Sequence, residues 1–304
     1  MNNLAPILLF VYNRPEHTRL TIESLESNLL AGQSELHIYS DAAKNEEDRS
    51  AVEKVREYIH SITGFSRINI VERESNVGLA NNIIDGVTQI VNQFGKVIVL
   101  EDDLILSPYF LKFMNDALEI YKDEPKIGHI HACQFFIDDK LPDTFITQFI
   151  GSWGWATWDR SWKLFKQDGT TLIKELEEKD LTSAFDFNNA YGFTKMLRKQ
   201  VKGLNNSWAI RWNASLFLQN CYALNVGKTL VQNIGLDGSG TNCGAGVKMS
   251  TDLYTKEITV EKKNPIAEDM NAHKYIEDYY RRIYSFKAKA IRRIKRTLNG
   301  DFGA

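Results

Sequence analysis

The chain has 304 residues, of which 43% are hydrophobic and 25% charged, with a formal net charge of −2. That length and apolar content suffice for one large domain, or a domain with an extension. The near-neutral balance excludes a general binder of nucleic acid.

Three widely separated cysteines (Cys133, Cys221 and Cys243) form no metal-type pair and no disulfide framework, which fits a reducing compartment. The apolar stretch at residues 6–12 is too short for a secretion signal and lacks a basic flank. No run approaches the roughly 20 apolar residues of a membrane span. A cytoplasmic location is therefore expected.

Residues 7–12 predict a strand, and Pro15 opens a helix with Ile22, Leu25 and Leu29 at helical spacing. Residues 36–40 predict a second strand. Residues 46–62 follow as a helix with Val52, Val55, Ile59 and Ile62 on one stripe. A third strand is expected over 68–71, and Ile83, Val87, Ile90, Val91 and Phe94 mark the next helix. Residues 97–100 are uniformly apolar, as in a strand buried on both faces. Phe110, Phe113, Met114, Ala117, Leu118 and Tyr121 mark a further helix, and 127–132 can add another strand. This succession of strand and helix implies an α/β fold: a mostly parallel, Rossmann-like sheet with helices on both faces.

The second half is less regular. It holds all six tryptophans, a charged helical segment over 172–200 and a glycine-rich loop over 235–246. Residues 281–296 carry eight basic side chains and no acid. Ile283, Phe286, Ala290, Ile291 and Ile294 can share one helical face there. Such a basic tail suits either an anionic membrane surface or a solvated helix packed by its apolar stripe. The expected organisation is a regular α/β region over 1–125, a mixed region with a lid-like glycine-rich loop over 126–270, and a basic helical tail over 271–304.

The richest chemistry is Glu101-Asp102-Asp103, three carboxylates placed where a buried strand ends. Ligands of open parallel sheets bind at the carboxyl ends of strands. Adjacent acids there repel one another unless a cation or donors satisfy them. A hard divalent ion that also grips a diphosphate is one solution; an acidic helix start ahead of Ser107-Pro108 is the other. The loops after the first three strands carry Asn13-Arg14-Pro15, Asp41, and a stretch with Asn76, Gly78 and Asn82. Together they offer a carboxylate for base or ribose donors, a cation for anionic oxygens and a glycine for close approach.

These residues resemble glycosyltransferases of the GT-A fold, particularly the N-acetylglucosaminyltransferase I type. The likeness lies in Glu101-Asp102-Asp103-Leu104 leading into Ser107-Pro108-Tyr109-Phe110, with Arg14 and Asp41 upstream, and more loosely in Gly154-Trp155. It also extends to bacterial transferases that build surface polysaccharides. The resemblance implies that Asp103 ligates the metal, Mn2+ or Mg2+, that Asp102 contacts the ribose and that Glu101 faces the donor sugar. Asp41 would hold the uracil or ribose and Arg14 the nucleotide. Asn82 falls where the family has a phosphate-facing histidine. The implied partners are a UDP-sugar and a glycan or lipid-linked acceptor, with peripheral membrane contact through 281–296 and no nucleic acid.

The family's catalytic carboxylate has no counterpart: Ser207-Trp208-Ala209-Ile210-Arg211-Trp212 carries Ala209 in its place. Asp237 and Asp159 are the acids left in site-like contexts. Asp237 in its glycine-rich loop is preferred, although an Asp-Gly turn explains it equally; a retaining mechanism without a dedicated base stays open. Trp153, Trp155 and Trp208 are candidates to stack on sugar, while Trp158 and Trp162 read as core. Arg211 could meet a phosphate or make a structural ion pair. His129 and His131 share a strand face and read as core or cleft histidines before a metal pair. A nucleotidyltransferase, or a carbohydrate-binding protein without catalysis, are the competing functions.

Overall fold

The computed structural model describes residues 4–135, 141–237 and 252–284. The first elements are β1 (Ile7–Val11), α1 (Pro15–Glu26), β2 (Glu35–Ser40), α2 (Glu46–Ile59), β3 (Arg67–Glu72), α3 (Leu79–Phe94) and β4 (Lys96–Glu101). Then come β5 (Leu104–Leu106), α4 (Phe110–Ile120), β6 (Ile127–His131), β7 (Thr144–Thr147), β8 (Trp155–Trp158) and α5 (Asp159–Trp162). The remainder is α6 (Gly169–Glu178), α7 (Thr182–Phe185), α8 (Phe193–Val201), α9 (Trp208–Leu218), β9 (Tyr222–Val226), β10 (Val231–Asn233) and α10 (Met270–Tyr284).

Eight strands form one sheet in the order β3-β2-β1-β4-β8-β6-β9-β7. The pairs β3–β2, β2–β1, β1–β4 and β6–β9 are parallel, whereas β8 runs antiparallel to both β4 and β6, and β7 to β9. Six strands thus share one direction, and the expected Rossmann-like α/β sheet is what the chain forms.

Burial on both faces explains the uniformly apolar strands. In β1, Ile7, Leu9 and Val11 face a core with α1, α2 and α4, while Leu8 and Phe10 face a second core with α3 and the tryptophans. In β4, Ile98 and Leu100 join the first core, Val97 and Val99 the second. Successive side chains of a strand point to opposite faces, so helices on both sides demand apolar residues at every position.

The second half departs from expectation in two places. The helical stretch over 172–200 breaks into α6, α7 and α8. Asp180, Phe187, Asn188 and Asn189 all take left-handed backbone there, with φ of 53°, 50°, 53° and 63°, a conformation no α-helix sustains. Gly154-Trp155 leads not into an open acceptor surface but into β8, an antiparallel strand wedged between β4 and β6. β5 and β10 form a separate two-stranded ribbon that folds back over the end of β4. No described helix is long and apolar enough to cross a membrane, and most of the basic 281–296 stretch lies outside the described residues.

Candidate active site

β2, β1 and β4 are neighbours and parallel, so their carboxyl ends bring Asp41, Asn13-Arg14 and Glu101-Asp102-Asp103 to one edge of the sheet. Arg14 caps α1 just ahead of Pro15. From there its Nη2 donates to Asp102 Oδ1 and, at 3.0 Å, to Asp103 Oδ2. The Tyr12 amide donates to the other Asp102 oxygen at 3.3 Å. Thr21, fully buried on α1, locks the turn after β4: its hydroxyl donates to the Asp102 carbonyl (2.9 Å) and accepts from the Leu104 amide (3.0 Å).

A strap from distant sequence closes the other side. The Ile234 amide donates to the Asp103 carbonyl at 2.8 Å, and Asn233 Nδ2 lies 3.4 Å from Asp103 Oδ1. Gly235 follows so closely that a Cβ there would stand 2.2 Å from Asp103 Oδ2 and 2.8 Å from Arg14 Nη1. Arg14 Nη1 is buried and finds no acceptor among the described residues.

The electrostatics are those of unbalanced charge. Burial first, then the charges of Asp103 and Asp102, pushes the Glu101 carboxyl up to about 8. Burial raises Asp102 to about 6 against the opposing pull of Arg14. Burial disfavours the Arg14 charge too, but the two carboxylates outweigh it and hold the guanidinium above its ordinary value. Asp102 and Asp103 thus share one guanidinium beside a Glu101 kept protonated at neutral pH, a shortage of positive charge that a further cation would relieve.

An all-oxygen donor set suits a hard divalent ion, and the Asp103 carboxylate is of the type that holds one. Among the described residues no preformed group of three or more metal-ligating side chains exists. A cation here would therefore draw its other ligands from phosphate or water.

The neighbouring loops are tied rather than open. Asp41, 4% exposed, accepts from the amides of Val77 (3.0 Å) and Gly78 (2.9 Å), and Asn76 Nδ2 donates to the Ala42 carbonyl at 2.7 Å. Gly78 is held at φ 77°, where glycine is favoured. Asn13 donates to Asp48 at 2.7 Å. Asn82 is buried and accepts from Arg73 Nε at 3.0 Å, so its carbonyl oxygen braces a helix start. Asp237 ends a short turn over Gly235–Asp237; its side chain, and residues 238–251, fall outside the described part.

Four sequence candidates belong elsewhere. Trp155 is fully buried, stacked between His129 (5.3 Å) and Trp208 (5.1 Å). Trp208 is itself only 5% exposed. Both rings are core: β8 lies inside the sheet, and α9 packs Trp208 against the same cluster. Arg211 is buried in α9 and donates to the carbonyls of Ser207 and Gln167, each at 3.2 Å, so it stitches backbone away from the acids.

Asp159 sits past the end of β8, where its amide donates to the Gly95 carbonyl. Gly95 precedes β4, so Asp159 lies the full strand, about 20 Å at 3.3 Å per residue, from the acids. It pairs with Lys163 at 2.6 Å instead.

His129 and His131 are core as well. Trp212 Nε1 donates to His129 Nδ1 at 3.1 Å, and burial holds both rings neutral, with His131 lowered to about 4.

Sequence reasoning missed Thr21, Asn233 and Gly235. A polar residue on the apolar stripe of α1 was a signal for Thr21, and Gly235 opens the glycine-rich loop. Asn233 carried none.

No family model matches the sequence, nor does any curated protein. Among solved structures the chain is similar to S. aureus TarS 1-349, with a TM-score of 0.42 and 13% identity over 74% of this chain and 59% of that one. The same fragment in complex with UDP gives 0.38 and 12% over 74% and 59%. The mannosyltransferase PcManGT from Pyrobaculum calidifontis, in complex with GDP-Man and Mn2+, gives 0.35 and 12% over 71% and 75%. The chain spans less than two thirds of the TarS fragment's length.

Proposed function

We propose that the chain is a GT-A glycosyltransferase that moves a sugar from a UDP-linked donor to a glycan or lipid-linked acceptor in surface-polysaccharide synthesis. The observation that carries this reading is the pairing of Asp102 and Asp103, next to Glu101, with an Arg14 whose Nη1 has no acceptor among the described residues. A diphosphate offers anionic oxygens to Nη1, and a divalent ion (Mn2+ or Mg2+) offers charge to the carboxylates. Asp103, with Glu101 beside it, would hold that ion, which when bound offsets negative charge on the departing nucleoside diphosphate.

Other residues prepare the pocket. Asp41 fixes Val77 and Gly78 at the start of α3, shaping the wall that a uracil or ribose would meet. Asp102, pinned by Tyr12 and Arg14, positions the guanidinium and leaves Asp103 as the more available carboxylate; its side chain is 13% exposed against 6% for Asp102. In an inverting reaction Asp237 would take the proton of the acceptor hydroxyl, since its turn begins at the glycine that touches Asp103. Trp153, part-buried and next to Gly154, is the remaining aromatic for the acceptor. Action at the inner face of a membrane, through 281–296, belongs to the same proposal.

Thermal unfolding with a panel of nucleotides and nucleotide sugars, with and without Mn2+, tests the reading. Mn2+-dependent stabilisation by a UDP-sugar is expected. Stabilisation by a nucleoside triphosphate with a sugar phosphate would point to nucleotidyl transfer, and no response to any nucleotide would refute both.

A further inference from the structure

We infer that Arg14 couples cation binding to donor binding: in the ligand-free chain its guanidinium neutralises Asp103 in place of a cation, and it transfers to the diphosphate when the donor arrives. The inference rests on the nucleotide-sugar reading above and adds to it the order in which the site fills.

Three observations converge. A single nitrogen of Arg14, Nη2, serves both carboxylates, reaching Asp102 and, at 3.0 Å, Asp103. The second terminal nitrogen, Nη1, is buried without an acceptor among the described residues, although a guanidinium ordinarily uses both in a fork. The backbone strap passes so close to the pair that a Cβ added at Gly235 would stand 2.8 Å from Nη1 and 2.2 Å from Asp103 Oδ2. Arg14 is therefore held against the acids by charge, with the strap closing over it and one of its two terminal nitrogens unused.

A dication and a guanidinium both near Asp103 repel. For charges about 6 Å apart, even at the dielectric of water, that repulsion weakens cation binding about tenfold. A diphosphate removes the conflict: its oxygens complete the Arg14 fork and draw the guanidinium from Asp103. The free chain should then bind cation poorly, and the donor should admit it, beyond what ligation by phosphate alone contributes. By linkage the effect is reciprocal.

The test is Mn2+ binding to the 304-residue chain without nucleotide, read from the electron paramagnetic resonance of free Mn2+, together with UDP binding without metal. Arg14→Met should bind Mn2+ about tenfold more tightly than the parent and UDP at least tenfold more weakly. Arg14→Lys, which keeps the charge, should stay close to the parent for Mn2+. Should the methionine variant fail to fold by circular dichroism, Arg14→Gln replaces it with the same expectation. A folded variant whose Mn2+ affinity is unchanged or weaker overturns the coupling. A parent that binds neither Mn2+ nor UDP overturns the nucleotide-sugar reading and the coupling with it, a result distinct from a parent that binds both.

Discussion

Gly235→Ala places one methyl group at the tightest point of the site. The new Cβ would lie 2.2 Å from Asp103 Oδ2, and reaching the 3.4 Å of ordinary contact means moving that oxygen by more than an ångström. The Arg14–Asp103 bond, now 3.0 Å, cannot survive such a shift. Both obstructing atoms are tips of side chains, so the fold absorbs the change at the low end of overpacking costs, about 1 kcal/mol. For a chain of this size that lowers the melting temperature by roughly 2–4 °C or less.

The site suffers more. Misplacing a charged hydrogen-bonding group costs about 1.5–3 kcal/mol, or roughly ten- to hundredfold in UDP affinity with Mn2+ present. Calorimetric titration of UDP against the parent and the variant measures this. Gly32→Ala is the control, because its Cβ would meet nothing nearer than 3.8 Å. Parent-like UDP affinity in Gly235→Ala would refute the claim that the strap sets the position of Asp103.

Three further outcomes follow from the same geometry. Glu101, held up to about 8 chiefly by burial, binds a proton more readily folded than unfolded. Its favourable contribution is complete below its ordinary value near 4.5 and is lost as pH rises through about 8. Glu101→Gln should therefore match the parent near pH 4 and exceed its stability at pH 8, the gap opening by no more than about 1.4 kcal/mol per pH unit. Denaturant unfolding across that range would show it, and a gap that narrows with rising pH would contradict it. Asp159→Asn should leave turnover unchanged, because the side chain lies at the far end of β4 and makes only an exposed pair with Lys163; a large loss of turnover would return it to the list of candidate bases. Trp155→Ala should cost about 3–5 kcal/mol of folding stability, read from urea unfolding, since it empties the centre of a stack with His129 and Trp208.

The first half of the fold was legible because burial on both faces leaves an unmistakable trace. Val97 to Leu100 has no polar position, so strand and depth could be read together. β5, β8 and β10 hold three or four residues each, too few for periodicity to register. In β8, Trp155 reads from sequence as a sugar-stacking ring because an indole that stacks on a pyranose and one that fills a core are the same side chain. Only the antiparallel insertion beside β4 separates them, and that is a long-range fact.

The acids were legible for the opposite reason: charge at the end of an apolar strand is anomalous wherever the rest of the chain lies. Arg14 could be placed near them because β1 and β4 are parallel neighbours. Asn233, Ile234 and Gly235 reach Asp103 across some 130 residues, and no local pattern announces such a contact.

The central claim is that Asp103 holds a cation against the diphosphate of a nucleotide sugar. Calorimetric titration of UDP into the parent and into Asp103→Asn, each with and without Mn2+, tests it most directly. The account predicts that Mn2+ strengthens UDP binding to the parent and that the asparagine variant loses at least tenfold of that gain while remaining folded. Equal Mn2+-dependent binding by the two proteins would contradict it.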